Sequence, residues 1–156
     1  MGHKILVAMD DSENAMRAVE FLAKTSLPDH EITLFSVIPD TAAICEMNSP
    51  ELTPHFLSHQ VEFCSMEDKK RELLEKAVQE AKDTLQKAGF DENNISIKVM
   101  TRKKGTARDI IDEAHTGYDT VVMGKKGLSG IKEFFLGSVS QKVLHGAKDM
   151  SVLLVN

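Results

Sequence analysis

Short runs of apolar residues punctuate this chain, and between them apolar side chains recur every three or four positions. Ile5, Leu6, Val7, Ala8 and Met9 follow one another without a break, so Lys4 to Asp10 reads as a strand covered on both faces. Asp10-Asp11-Ser12 is a turn with helix-capping chemistry, and Ala15, Ala18, Val19, Leu22 and Ala23 follow at helical spacing. Leu27-Pro28-Asp29 breaks that helix. Ile32, Leu34, Val37 and Ile38 mark a second strand, ended by Pro39-Asp40. Residues 40–65 carry no clear period and read as an irregular insertion. A long helix is expected from about Met66 to Ala88, with Leu73, Leu74, Ala77, Val78, Ala81, Leu85 and Ala88 as its buried stripe and Gly89 at its C-cap.

The second half repeats the alternation. Ile95, Ile97 and Val99 give a third strand. Thr106-Ala107-Arg108-Asp109 has the spacing of a capping box with Asp in place of Glu, and Ala107, Ile110, Ile111 and Ala114 form one helix face. Thr120 to Gly124 is a short buried strand, a Gly-rich loop runs to Gly137, a helix starts near Ser138, and Ser151 to Val155 is a last strand. At roughly 100–200 residues per domain the length supports one domain over 1–156, and strand and helix alternate strictly along it. The expected fold is α/β: a Rossmann-like, doubly wound sheet of five parallel strands in the order 3-2-1-4-5, with helices on both faces. In such sheets ligands bind beyond the carboxyl ends of the strands, where the strand order reverses. That rule directs attention to Asp10, Val37 to Pro39, Thr101 to Lys104, and Gly124 onward.

Composition narrows the functions. The chain has 156 residues, with 19 Lys+Arg against 24 Asp+Glu, a formal net charge of −5 that disfavours a nucleic-acid partner. No apolar run reaches the roughly 18 residues needed to span a bilayer, so no membrane partner is expected. The N-terminus lacks a signal-peptide pattern, and the expected location is cytoplasmic. Cys45 and Cys64 are accordingly expected to be free thiols.

The loop Gly124-Lys125-Lys126-Gly127, nine further residues, then Gly137-Ser138-Val139-Ser140 carries the strongest chemistry. Glycine lets the backbone approach a ligand. A helix starting at Ser138 offers unpaired N–H groups and a partial positive charge to an anion. Hydroxyls of Ser138 and Ser140 add donors, and Lys125, Lys126 and Lys132 lie in or beside the loop. Neither the G-x4-G-K-[ST] nor the G-x-G-x-x-G phosphate pattern is present. On the glycines alone, a loop that merely turns the chain is the open alternative.

The spacing G-x2-G-x9-G-[ST] after Val121-Val122-Met123 resembles the nucleotide-binding signature of the universal stress protein family. The opening Lys4-Ile5-Leu6-Val7-Ala8-Met9-Asp10-Asp11-Ser12 and the stretch Phe135 to Leu144 are similar to that family too. The resemblance spans essentially residues 3–155. It implies an adenine nucleotide, ATP or else ADP or AMP, with or without Mg²⁺, at the switch point of the sheet. Asp10 would then bond the ribose, Ala8 would line the adenine side, and Val37 would offer its backbone to the adenine edge. Met123 and Gly124 would pack on ribose and base, while Lys126, Gly127, Gly137, Ser138, Val139 and Ser140 would surround the phosphates. Asp10 also reads as a plain turn or cap residue. Three departures stand out: Lys126 where many members carry Arg, which grips phosphate bidentately; Ala8 where some have Pro; and Met150-Ser151 in place of a common Cys-Pro.

No catalytic residue and no metal site is assigned. His55 and His59, four apart with Glu62 and Cys64 nearby, could share a helix face and hold Zn²⁺ or Cu²⁺, but a solvated polar segment is the preferred reading. The last strand, Ser151 to Val155, would present an open edge that pairing with a second copy would close, and the resemblance implies the same homodimer. The resulting expectation is a non-catalytic, ATP-binding regulator of a stress response. A slow ATPase or nucleotidyl-transferring enzyme, and a dimerisation module without nucleotide, are the alternatives.

Overall fold

The computed structural model describes residues 2–48, 52–125 and 136–156. Its strands are β1 (Lys4–Ala8), β2 (Glu31–Ile38), β3 (Ile95–Thr101), β4 (Thr120–Gly124) and β5 (Ser151–Val155). All neighbours pair in parallel, in the order β3-β2-β1-β4-β5. The helices are α1 (Glu13–Thr25), α2 (Ala42–Cys45), α3 (Pro54–Lys87), α4 (Thr106–Ala114) and α5 (Ser138–Gly146). The expected Rossmann-like sheet and its strand order are therefore present.

The unbroken apolar run of β1 feeds two cores because successive side chains of a strand point to opposite faces. Ile5 and Val7 pack with Ala18, Val19 and Leu22 of α1 and with Val78, Ala81 and Leu85 of α3. Leu6, between them, points the other way and joins Phe35, Val121, Met123, Ile110 of α4 and Val143 of α5. Leu6, Val7, Leu34 and Phe35 are fully shielded, each burial worth about 1.5–3 kcal/mol before entropy is charged against it. Among the described residues, no helix is long and apolar enough to cross a membrane.

The segment read as irregular is the main departure. The long helix begins at Pro54, not near Met66, and α2 precedes it. Thr53 caps α3 by accepting the Phe56 N–H at 3.2 Å, and Pro54 occupies the first turn, where its missing N–H costs nothing. The expected stripe is also shorter than the spacing suggested. Val78, Ala81 and Leu85 are buried, Leu74 and Ala77 are half-buried, and Leu73 and Ala88 are exposed. At its other end α3 closes as expected at Gly89 (φ 107°): Phe90 N–H donates to Leu85 O at 3.1 Å and Gly89 N–H to Gln86 O at 3.0 Å.

A 34-residue helix is about 51 Å long, against about 26 Å for the eight residues of β2. Arg71 and Leu74 share a groove with Ile38, the last residue of β2, so the part of α3 before Arg71 projects past the carboxyl rim of the sheet. There α2 folds back on it, and Cys45 and Cys64 form a disulfide with Cα atoms 5.9 Å apart. The free thiols expected from the sequence are thus corrected: α2 and the first turns of α3 set the two side chains opposite each other. Gln60 adds hydrogen bonds from its side-chain amide to the carbonyls of Ile44 and Met47.

Candidate functional site

Strand order reverses at β1, which has β2 on one side and β4 on the other. At the carboxyl ends of β1 and β4 lies a cavity of about 280 Å³, just under the ~300–1,000 Å³ common for ligand clefts. Its floor is Ala8 and Asp10 from β1 and its turn, and Met123 and Gly124 from β4. Its rim is Gly137, Ser138, Val139 and Ser140 at the start of α5. Eight residues singled out in the sequence thus line one space. Val37 does not line it; it sits on β2 and packs half-buried against the α4/α5 core. Lys126 and Gly127 lie outside the described residues.

Each wall has a local cause. Met9 N–H donates to Phe35 O at 2.7 Å, which carries the β1 pairing one residue further and turns Asp10 toward the cavity mouth. One Asp10 carboxylate oxygen accepts the Ser12 N–H at 2.9 Å, and Ser12 in turn caps α1 by accepting the Ala15 N–H at 3.1 Å. Asp10 is therefore a turn residue, and among the described residues its second oxygen has no hydrogen-bond partner. Gly124 is required by packing: a Cβ there would lie 2.8 Å from the backbone of Asn14 on α1. The end of β4 is pinned on the opposite side by Ser140, whose buried hydroxyl donates to Gly124 O at 2.9 Å. That proton is spent on the fold and is not free to be donated into the cavity. Gly137 N–H to Lys125 O at 3.0 Å and Lys125 N–H to Val155 O at 2.7 Å fasten both ends of the glycine loop.

The electrostatics favour an anion. Among the described residues no side chain caps α5 at Gly137, and the first turn of α5, with the positive end of the helix dipole, lines the cavity. A second helix start, α4, adds Thr106 and Ile110 to the lining. Its N-cap is Gly105 at φ 142°, with no side-chain cap. The capping box read from Thr106 to Asp109 is therefore replaced by another device. Asp109, buried, accepts the N–H groups of Lys103 at 2.8 Å and Lys104 at 3.1 Å and holds the β3–α4 loop in place. Burial alone would push its carboxyl up, but the N–H groups of Lys103, Lys104 and Gly105 together hold it below the usual range. Further along α4, buried Glu113 binds Lys98 of β3 through both oxygens, at 2.9 and 2.8 Å; this hydrogen bond, outweighing desolvation, raises the Lys98 pKa.

The basic run after β3 does not line the cavity: none of Arg102, Lys103 and Lys104 is among its lining residues. Lys104 pairs with Asp112 at 2.9 Å and lines an adjoining cleft with Arg108, Lys142 and His145. Ser12, Ala15, Thr106 and Ile110 line the site without having been singled out. Ser12 had a usable signal, two residues after a strand end at the switch point, whereas Ala15, Thr106 and Ile110 reach the cavity only through helix packing.

The whole chain, residues 1–156, matches the sequence model of the universal stress protein family. It is 31% identical, over a 160-residue alignment covering 99% of both chains, to Universal stress protein Sll1388 of Synechocystis sp.. Among solved structures it superposes on hypothetical protein MJ0577 with a TM-score of 0.71 and 25% identity, covering 99% of this chain and 96% of that one. It also superposes on a universal stress protein in complex with cAMP, with a TM-score of 0.64 and 20% identity, covering 99% and 97%.

Proposed function

This chain belongs to the universal stress protein family, and on that premise we propose that it captures an adenine nucleotide at the switch-point cavity and acts as a non-catalytic, nucleotide-dependent regulator in a stress response. One observation carries the reading: the uncapped start of α5 and the carboxylate of Asp10 line the same cavity. Backbone N–H groups suit a phosphate, and a carboxylate suits ribose hydroxyls. The two address adjoining parts of a nucleotide, its phosphates and its ribose. A neighbour of the same fold is a universal stress protein in complex with cAMP, which supports the adenine nucleotide class. ATP, with Mg²⁺ as its counter-ion, is the preferred ligand, with ADP and AMP next.

The regulatory rather than catalytic role rests on the side chains available. Asp10 holds the α1 turn and Ser140 donates into the fold. Among the described lining residues, neither is poised as a general base beside a terminal phosphate. A nucleotide bridging the glycine loop would act on β5, because Lys125 bonds Val155 directly. β5 is one of the two outer strands of the sheet, and on it we place a homodimer contact. Mass spectrometry of whatever leaves the purified protein on denaturation tests the ligand: an adenine nucleotide supports the reading, and cAMP in place of ATP redefines it within the same class. A protein that releases none and binds none when supplied would refute it. Dimer affinity measured with and without ATP tests the switch, and equal affinities would remove it.

A further inference from the structure

His55 and His59 meet one turn apart near the start of α3. Their Nε2 atoms are 3.1 Å apart, while their ring centroids are 4.3 Å apart with the planes at 80°. The two Nε2 atoms are thus closer to each other than the ring centres are. We propose that this pair is a binding site for a divalent transition cation of the class that imidazole favours, such as Zn²⁺, Ni²⁺ or Cu²⁺.

The distance is the first argument. Two ligands at the about 2.0–2.1 Å of a zinc–imidazole bond, at angles of about 90–110°, stand about 2.9–3.4 Å apart, and the observed separation falls inside that interval. Histidines at i and i+4 on one helix face are also the spacing used by helical zinc sites. The second argument is the direction in which the pair faces. At 3.6 residues per turn, His55 and His59 point about 140° away from Gln60 and Cys64, which are the residues tied to α2. The turn that carries the imidazoles is therefore braced from behind, and both rings are open to solvent. The same period places Glu62 on the histidine face, where its charge favours a cation. No cluster of three or more His, Cys, Asp or Glu able to hold a metal is found among the described residues, so water completes the coordination shell. Without a cation, one Nε2–H donates to the other Nε2; on cation binding the donor ring's proton moves through solvent to its Nδ1, so that both Nε2 lone pairs serve as ligands and both imidazoles stay neutral.

Calorimetric titration of chelator-treated, oxidised full-length protein with ZnCl₂, and separately with MgCl₂, tests the site. The expected result is saturable uptake of one Zn²⁺ per chain and no uptake of Mg²⁺, which prefers oxygen ligands. His55→Ala and His59→Ala should each abolish the Zn²⁺ uptake, while His115→Ala, at the end of α4, should leave it intact. Should either alanine variant lose helix content by circular dichroism, His59→Gln, which keeps the length and polarity of the side chain, carries the same expectation. Absence of saturable uptake by the wild type, uptake that survives loss of either histidine, uptake lost in His115→Ala, or equal uptake of Mg²⁺ would overturn the proposal.

Discussion

Asp109 and Gly124 hold the site's geometry without offering chemistry to a ligand. Asp109 is buried and its pKa is lowered, so the sign of its contribution to stability follows directly. Its stabilisation is fully present above the unfolded carboxylate pKa and is lost as pH falls through the lower folded value. Asp109→Asn should cost about 1–3 kcal/mol near neutral pH, or roughly 2–4 °C of Tm for each kcal/mol in a chain of this size. The gap between wild type and variant should narrow as pH drops below about 4. Denaturant melts at several pH values check this, and a gap that widens in acid would contradict it. Gly124→Ala drives a methyl group to 2.8 Å from the Asn14 backbone, which should cost about 1–3 kcal/mol by overpacking. An unchanged denaturation midpoint would show that α1 yields freely there.

The disulfide joins α2 to the projecting part of α3 and closes a 19-residue separation. Reduction should loosen that part and leave the sheet untouched, because buried α3 residues begin only at Val78. Hydrogen exchange is expected to accelerate over residues 54–64 in the reduced protein, with protection of β1 and β4 unchanged; unaltered exchange over 54–64 would show that the packing does not need the bond. Disulfides persist in oxidising surroundings and are rare in the cytosol, so the redox state of this pair in cells also reports the compartment. At this scale the sequence was legible where burial imposes a period. β1, β2, β4, α1 and α4 were visible because one or both faces meet a core. The start of α3 was not, because Phe56, Leu57 and Val61 are all exposed and so mark no stripe, although Thr53-Pro54 was a usable start signal. The disulfide was illegible for the same reason, since its geometry exists only once α2 and the start of α3 have formed. The site was readable at the strand ends and the α5 start, where backbone chemistry is local, and unreadable on α4, whose contribution depends on tertiary packing.

Across the whole molecule, the sheet leaves β5 paired only on its β4 side among the described residues. Ser151 N–H donates to Asp119 O, and Val155 O accepts the Lys125 N–H. By the alternation of a parallel ladder, the backbone groups of Val152 and Leu154 therefore point to the open edge. Val152→Pro removes an outward N–H, a position at which edge strands tolerate proline. If the proposed homodimer uses this edge, the variant should sediment as a monomer at concentrations where the wild type is a dimer, with an unchanged circular dichroism spectrum. A variant that remains dimeric would place the contact elsewhere.

Nucleotide capture is the claim on which the functional account turns. Calorimetric titration of ligand-free protein with ATP and Mg²⁺ should give saturable heat at one nucleotide per chain. Asp10→Asn should weaken that binding about tenfold or more, the worth of a charged hydrogen bond. A flat titration of the folded wild-type protein would contradict the account while leaving the architecture in place.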